Sequence, residues 1–303
     1  MNLKQLHYFI AVAEELHFGR AAERLRIKQP PLSRQISQLE SDLRVRLLAR
    51  TKRSVVLTEP GKAFLLQARE TLRHAEKAIT VARRTSRGEA GQLRISTSSS
   101  LPFTGLLPSL LTAFRAEYPD VELHLKESRA KEQVTRIHDG ETDVGFVRLP
   151  VRMLPQGLTT EVILSEPILL AMSADHRFST RRKIELGSLS EERFIMYPYE
   201  IGGLHDWALH SCRAAGFEPR IVQEASSVPM AATFAAAGLG LALVPQCAQH
   251  IHTPGVVYRT VEAPSATTDV AIVYRDRDGS PLVRNFVKVC LGLSRQLRTG
   301  SRA

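Results

Sequence analysis

Residues 59–87 constrain this chain more than any other stretch. Thr58 offers an N-cap hydroxyl, and Pro60 falls in a first helical turn, where its missing N–H costs nothing. From there Leu65, Ala68, Leu72, Ala75, Ile79 and Ala82 recur at three-four-three-four-three spacing, the seam of a coiled coil of almost three heptads. The helix runs out in Arg83-Arg84-Thr85-Ser86-Arg87-Gly88-Glu89-Ala90-Gly91, a polar hinge. The chain is thereby divided into residues 1–58, a helix at 59–87, a hinge at 88–92 and residues 93–303. Alanines at alternate seam positions let a partner helix approach closely, so the seam predicts pairing of two chains. An amphipathic helix packed on its own domain has the same pattern, and that alternative stays open.

The two ends differ in charge. Residues 1–92 carry 18 Lys and Arg against 9 Asp and Glu, a net +9, whereas residues 93–303 carry 23 against 22, a net +1. A basic surface confined to one end predicts polyanion binding there and another task for the remainder. The opening residues lack the apolar stretch and cleavage site of a secretory signal. The longest apolar run, residues 230–245, is broken by Thr233, Gly238 and Gly240 and falls short of the ~20 residues a bilayer requires. Both features predict a cytoplasmic protein with no membrane contact. Cys212, Cys247 and Cys290 are odd in number and widely spaced, which fits no zinc site and predicts buried thiols in a reducing compartment. No metal or cofactor is expected.

Within the basic end, Leu3, Leu6, Ile10 and Ala13 have helical spacing, and residues 20–25 supply a second short helix in which Ala21 and Ala22 allow close crossing. Arg26-Ile27-Lys28 makes a tight link, and Gln29-Pro30-Pro31 opens a third helix. There Leu32, Ile36 and Leu39 share one face, while the opposite face carries Pro30, Arg34 and Ser37, flanked by Ser33 and Gln38. A helix that buries aliphatics and presents hydroxyl, amide and guanidinium groups suits a major groove. Residues 44–57 place two apolar arms around a basic tip holding Arg50, Lys52 and Arg53, a β-wing whose cations suit phosphates.

Past the hinge the pattern becomes strand, helix, strand, helix. Strands are expected at residues 92–96, 121–127 and 142–147 and helices at 106–118 and 131–139, which are βαβ units of a mainly parallel sheet. Further elements are expected at residues 168–172, 194–196, 205–216, 229–237, 241–244 and 270–274, with a last helix from 281 to about 298.

The stretch Phe18-Gly19-Arg20-Ala21-Ala22-Glu23-Arg24-Leu25, followed by Gln29-Pro30-Pro31-Leu32-Ser33-Arg34-Gln35-Ile36, then Leu39-Glu40 and Leu57-Thr58 before Pro60-Gly61, resembles a LysR-type transcriptional regulator. Over the whole length this resemblance implies an α+β multidomain protein. Its parts are a winged helix-turn-helix, a long linker helix and a two-lobed α/β effector domain like a periplasmic binding protein. Lobe I is then expected at about 93–163 and 269–298 and lobe II at about 164–268. The implied assembly is a homodimer through the linker helix and a homotetramer on double-stranded promoter DNA, with RNA polymerase as a further partner. Gln29, Pro30, Pro31, Ser33, Arg34 and Ser37 match the groove-reading helix and Arg50, Lys52 and Arg53 the wing. The implied effector cleft is lined by Ser98, Ser99 and Ser100, by Arg129 and Ala130, by Arg148, by Ile201, Gly202, Gly203 and Leu204, and by Ser226 and Ser227. Within the family the chain looks nearest to regulators of aromatic-compound degradation that answer benzoate-like or muconate-like acids, and to an acetate-responsive branch. Ala130 stands where the muconate branch has threonine.

The chemistry of that cleft also follows from strand order. Open α/β sheets bind ligands beyond the carboxyl ends of their strands, and hydroxyls beside a helix N-terminus favour anions. Arg148 directly follows a buried strand, so an organic carboxylate is its natural counter-ion; a structural salt bridge with Asp143 or Glu127 is the alternative. The sequence lacks a Gly-x-Ser-x-Gly elbow, a Walker loop and a His-Glu-x-x-His helix, which argues against an enzyme. The expectation is thus a sequence-specific DNA-binding regulator whose promoter geometry is altered by a small carboxylate effector. A small-molecule-binding protein, or a thiol-redox regulator without such an effector, is the alternative.

Overall fold

The computed structural model describes residues 1–51, 54–263, 267–276 and 279–300, the last three by backbone alone. It forms two compact units, residues 1–84 and 85–303.

The first unit opens with α1 (Leu3–Glu15), closed by a reciprocal Asn2–Gln5 capping box. In α2 (Phe18–Arg24) the His17 Nδ1 accepts from the amides of Gly19 and Arg20, and α3 (Gln29–Leu43) follows with proline in its first turn. Strands β1 (Leu48–Arg50) and β2 (Val55–Leu57) pair antiparallel as the wing, and α4 (Glu59–Ser86) follows. Gly61 is dictated by a close approach, since a Cβ there would lie 2.0 Å from the Leu47 carbonyl oxygen. The core gathers Leu6, Phe9, Val12, Ala21, Leu32, Ile36, Leu39 and Leu48. At roughly 1.5–3 kcal/mol for each large aliphatic buried, these three-residue stripes hold the helices at their crossing angles. One expected stripe is corrected: Leu3 is exposed and Ile10 only half-buried, because Phe9 and Val12 turn the inner face of α1 by one position.

The seam of α4 divides in two. Ala68 and Leu72 are buried in the core of the same unit with Leu65 and Phe64 against it, whereas Ile79 is 53% exposed and Ala82 is exposed. Packing on its own domain thus accounts for the first half of the seam and leaves the second half uncovered.

The second unit comprises β3 (Ala90–Thr97), α5 (Leu106–Glu117), β4 (Asp120–Glu127), α6 (Ala130–His138), β5 (Val144–Arg148) and β6 (Leu158–Ser173). It continues through β7 (Lys183–Glu185), β8 (Arg193–Met196), α7 (Gly203–Ala214), β9 (Arg220–Glu224) and α8 (Val228–Ala236). It ends with β10 (Leu241–Pro245), β11 (Val256–Glu262), β12 (Thr267–Arg275) and α9 (Pro281–Gly300). The strands run β4-β3-β5-β12-β6-β10-β8-β9, with β11 joining β6 to β7. The expected mainly parallel sheet is corrected to a mixed one. Parallel pairing holds for β3 with β4 and β5, for β8 with β9 and β10, and for β7 with β11; β12 and β6 run antiparallel to each other and to every strand they pair. The cause is β6, a single 16-residue strand whose first half pairs β12 and whose second half pairs β10 and β11. It crosses between two hydrophobic cores, one around Leu110, Phe114, Phe146 and Phe286 and one around Leu170, Phe194, Trp207 and Leu243. These cores define the two lobes.

Candidate DNA-reading face and ligand cleft

On α3, Leu32, Ile36 and Leu39 have no exposed surface, which fixes the opposite side outward. Gln29, Pro30, Pro31, Arg34 and Ser37 are exposed there and Ser33 is half-buried. Arg50 is committed differently. Its Nη2 donates to Glu40 Oε2 at 2.7 Å, and its guanidinium lies 4.8 Å from the Phe18 ring centre. Glu40 Oε1 also accepts from the amides of Leu47 and Leu48 at 2.9 and 3.0 Å, so the Glu40–Arg50 pair braces α3 against the wing. Arg44 and Arg46 line the adjoining groove with Ser37 and Ser41. Both are exposed and belong to the same basic run as the wing tip, which extends the phosphate-facing surface beyond Arg50. Lys52 and Arg53 lie outside the described residues.

In the second unit a cleft of about 510 Å³ is lined by Ser98, Ser99, Ser100, Ser128, Arg129, Ala130, Arg148, Ile201, Leu204, Ser226 and Ser227, with Glu127 and Glu132 at its edge. Parallel pairing of β3 with β4 and β5 brings three strand ends to one side, where Ser98 to Ser100, Ser128 and Arg148 meet. The Gln133 side chain fixes α6 there, donating to Ser128 O at 2.9 Å and accepting from the Phe146 amide at 3.0 Å. From the other lobe, the Ser227 Oγ caps α8 by accepting from the Met230 amide. Gly202 and Gly203 do not line the cleft, contrary to expectation. Gly203 starts α7 against the end of β5, where a Cβ would lie 2.4 Å from the Arg148 carbonyl oxygen. Gly202 has φ 77° and enters that turn.

Arg148 is 4% exposed and sits in a network that joins the lobes. Its Nε donates to Ser100 Oγ at 2.9 Å, and its Nη2 to Glu166 Oε1 at 2.5 Å and to Cys247 Sγ at 3.5 Å. The Cys247 amide donates to Glu166 Oε2 at 2.7 Å. The salt-bridge partner is therefore Glu166 on β6. Asp143 pairs instead with Arg94 and Arg275, and Glu127 lies exposed at the edge of the cleft. Arg148 Nη1 and the hydroxyls of Ser98 and Ser128 are buried without a hydrogen-bond partner. Unmatched donors at a cleft floor are what an oxygen-bearing ligand requires. Arg152 clasps the Asp206 carboxylate and covers the Tyr199 ring, its guanidinium carbon 3.4 Å from the ring centre.

The three cysteines are buried, and burial pushes each thiol up to about 12, with the Glu166 charge adding to the shift at Cys247. Such thiols are poor nucleophiles. Among the described residues, no group of three or more His, Cys, Asp or Glu could hold a metal ion, and no helix is long and apolar enough to cross a membrane.

Comparison with known proteins covers both units. The model of the bacterial regulatory helix-turn-helix protein, lysR family, matches residues 3–62, and that of the LysR substrate binding domain matches residues 86–294. YnfL of Escherichia coli (strain K12), an uncharacterized HTH-type transcriptional regulator, is 38% identical over 288 residues, 94% of this chain and 96% of its own. The HTH-type transcriptional regulator AlsR of Bacillus subtilis (strain 168) is 37% identical over 290 residues, 95% of each. Full-length CbnR complexed with its target DNA superposes with a TM-score of 0.85 at 29% identity, covering 97% of this chain and 100% of that one. Full-length BenM does so with a TM-score of 0.60 at 29% identity, covering 98% and 97%. Matched at both ends and aligned over nearly the full length of its relatives, the chain belongs to the LysR family of DNA-binding transcriptional regulators, in which a helix-turn-helix is joined to an effector-binding domain.

Proposed function

We propose that α3 reads promoter bases in the major groove through Gln29, Pro30, Ser33, Arg34 and Ser37, and that the interlobe cleft binds a small organic acid which alters the geometry on DNA. The observation that carries the acid reading is the set of buried, unpartnered donors on Arg148, Ser98 and Ser128. Helix starts at Ala130 and Val228 add N–H groups and positive dipole ends to the same region. The exposed second half of the α4 seam pairs two chains, and dimers associate further into a homotetramer. The regulator works in the cytoplasm, with RNA polymerase as its downstream partner. The raised thiols weigh against redox sensing.

Calorimetry and thermal shift with benzoate and short aliphatic acids test the cleft. The double variant Ser98→Ala, Ser128→Ala leaves the Arg148–Glu166 pair intact and is expected to weaken binding by about tenfold or more, each lost hydrogen bond to a charged group being worth about 1.5–3 kcal/mol. Ligand-free DNA affinity should not change. Equal acid affinity in the variant would place the ligand elsewhere. For the reading face, Arg34→Ala is expected to lose ~1–3 kcal/mol of base discrimination while retaining non-specific binding, as measured by titration of operator and scrambled duplexes.

A further inference from the structure

We propose that this cleft takes monocarboxylic acids and turns dicarboxylic ones away, and that Glu166 sets the preference. The inference rests on the acid-binding reading of the cleft and goes on to the charge of its ligand.

An arginine at a cleft floor would ordinarily supply a full positive charge to an incoming anion. Here that charge is already met. Both carboxylate oxygens of Glu166 accept donors, one from Arg148 Nη2 at 2.5 Å and the other from the Cys247 amide at 2.7 Å, which sets the group opposite a permanently charged guanidinium. The pair lies almost wholly out of solvent, with side chains 4% and 8% exposed, so its mutual neutralisation is little screened. What remains for a ligand is directional rather than ionic: the Nη1 donors of Arg148 and the hydroxyls of Ser98 and Ser128. One carboxylate satisfies these with its lone pairs.

A second carboxylate finds nothing comparable. Of the other charged groups lining the cleft, Glu132 is paired with Arg136 at 3.2 Å, and Glu127 lies exposed at the rim close in sequence to Arg129. Counting Glu166 and Arg136 with the lining residues, three acids face three arginines, so the site as a whole is neutral. Arg129 is exposed, and a solvent-facing ion pair contributes too little to offset stripping water from a second carboxylate beside Glu127. Glu166 is the positioning residue here, acting on the ligand through Arg148.

The test uses the full chain and acids matched in carbon skeleton: butyrate against succinate, and 4-methylbenzoate against terephthalate, by calorimetry at neutral pH. The monoacid of each pair is expected to bind at least about tenfold tighter, a second buried charge being costly when unpaired. Glu166→Gln should shrink or reverse that ratio by about tenfold, because the Arg148 charge is released. Glu127→Gln, an exposed site that leaves the buried network intact, should move the ratio in the same direction by about two- to threefold. A diacid that binds as tightly as its monoacid, with affinity still lost in the Ser98→Ala, Ser128→Ala variant, overturns the charge rule and leaves the acid site standing. Acids that bind indifferently to that serine variant, or none that bind, overturn the acid site and the rule with it.

Discussion

Arg26 and Arg44 hold φ at 54°, the left-handed backbone that side chains usually avoid. Each ends a helix with the same pair of bonds: Arg26 and Ile27 amides to Glu23 and Ala22 carbonyls, Arg44 and Val45 amides to Ser41 and Glu40 carbonyls. Arg26→Gly should therefore stabilise the first unit by about 1 kcal/mol, read as a higher denaturant midpoint at unchanged slope. Gly203→Ala should do the reverse, forcing α7 off the end of β5 at about 1–3 kcal/mol, visible as a lower melting temperature together with weaker acid binding. The three thiols make a pH prediction. Their pKa values lie near 12 in the folded chain against 9.0 when unperturbed, so the native state binds more protons between these values. Stability from this source is complete below pH 9 and is lost as pH rises toward 12. At pH 8 native thiols should react with an alkylating probe more slowly than unfolded ones, because all three are buried and fewer are thiolate, as followed by mass spectrometry.

At the scale of elements, the divided seam of α4 separates two substitutions that sequence spacing makes equivalent. Ile79→Glu should abolish pairing of chains in sedimentation while each chain stays folded, because Ile79 is 53% exposed and lies outside the core of its own unit. Leu72→Glu should unfold the first unit as well, since it buries a charge in the helix-turn-helix core at a cost of several kcal/mol. Which elements could be read from sequence has a physical pattern. Helices α1 to α3 were legible because each must bury one face, as Leu32, Ile36 and Leu39 show in α3. Strand β9 was not, because Arg220–Glu224 is exposed along its length and shows no alternation. The first half of β6 was hidden by Glu161 and Glu166, charges whose partners Tyr274 and Arg148 come from β12 and β5, other strands of the chain that fold alongside. The cleft residues were named on resemblance and strand ends. The Arg148 partner is not legible, because spacing along the chain does not separate Glu166 from Glu127, and only the order β5-β12-β6 brings the strand of Glu166 near.

For the molecule as a whole, the split between a +9 end and a +1 remainder predicts two salt responses from one chain. Operator affinity should fall by roughly 10³ or more between 50 and 200 mM salt as counterions are released. Acid affinity should change less than about twofold, because a neutral, buried site is little screened. Fluorescence anisotropy and calorimetry on the same preparation would measure both. The long strand β6 carries a further consequence for how such a molecule moves. Hinges in two-lobed proteins usually lie in loops, where a few residues absorb large rotations. Here one crossing is a continuous strand, paired with β12 as far as Pro167 and with β10 and β11 from Ile168 onward. A large rotation inside either half would break its ladder, so a bend that spares both must fall where the partners change, at Pro167 and Ile168. In engineering terms β6 is two stiff leaves joined by a short flexure: the leaves hold their shape under load, and the narrow joint between them does the yielding.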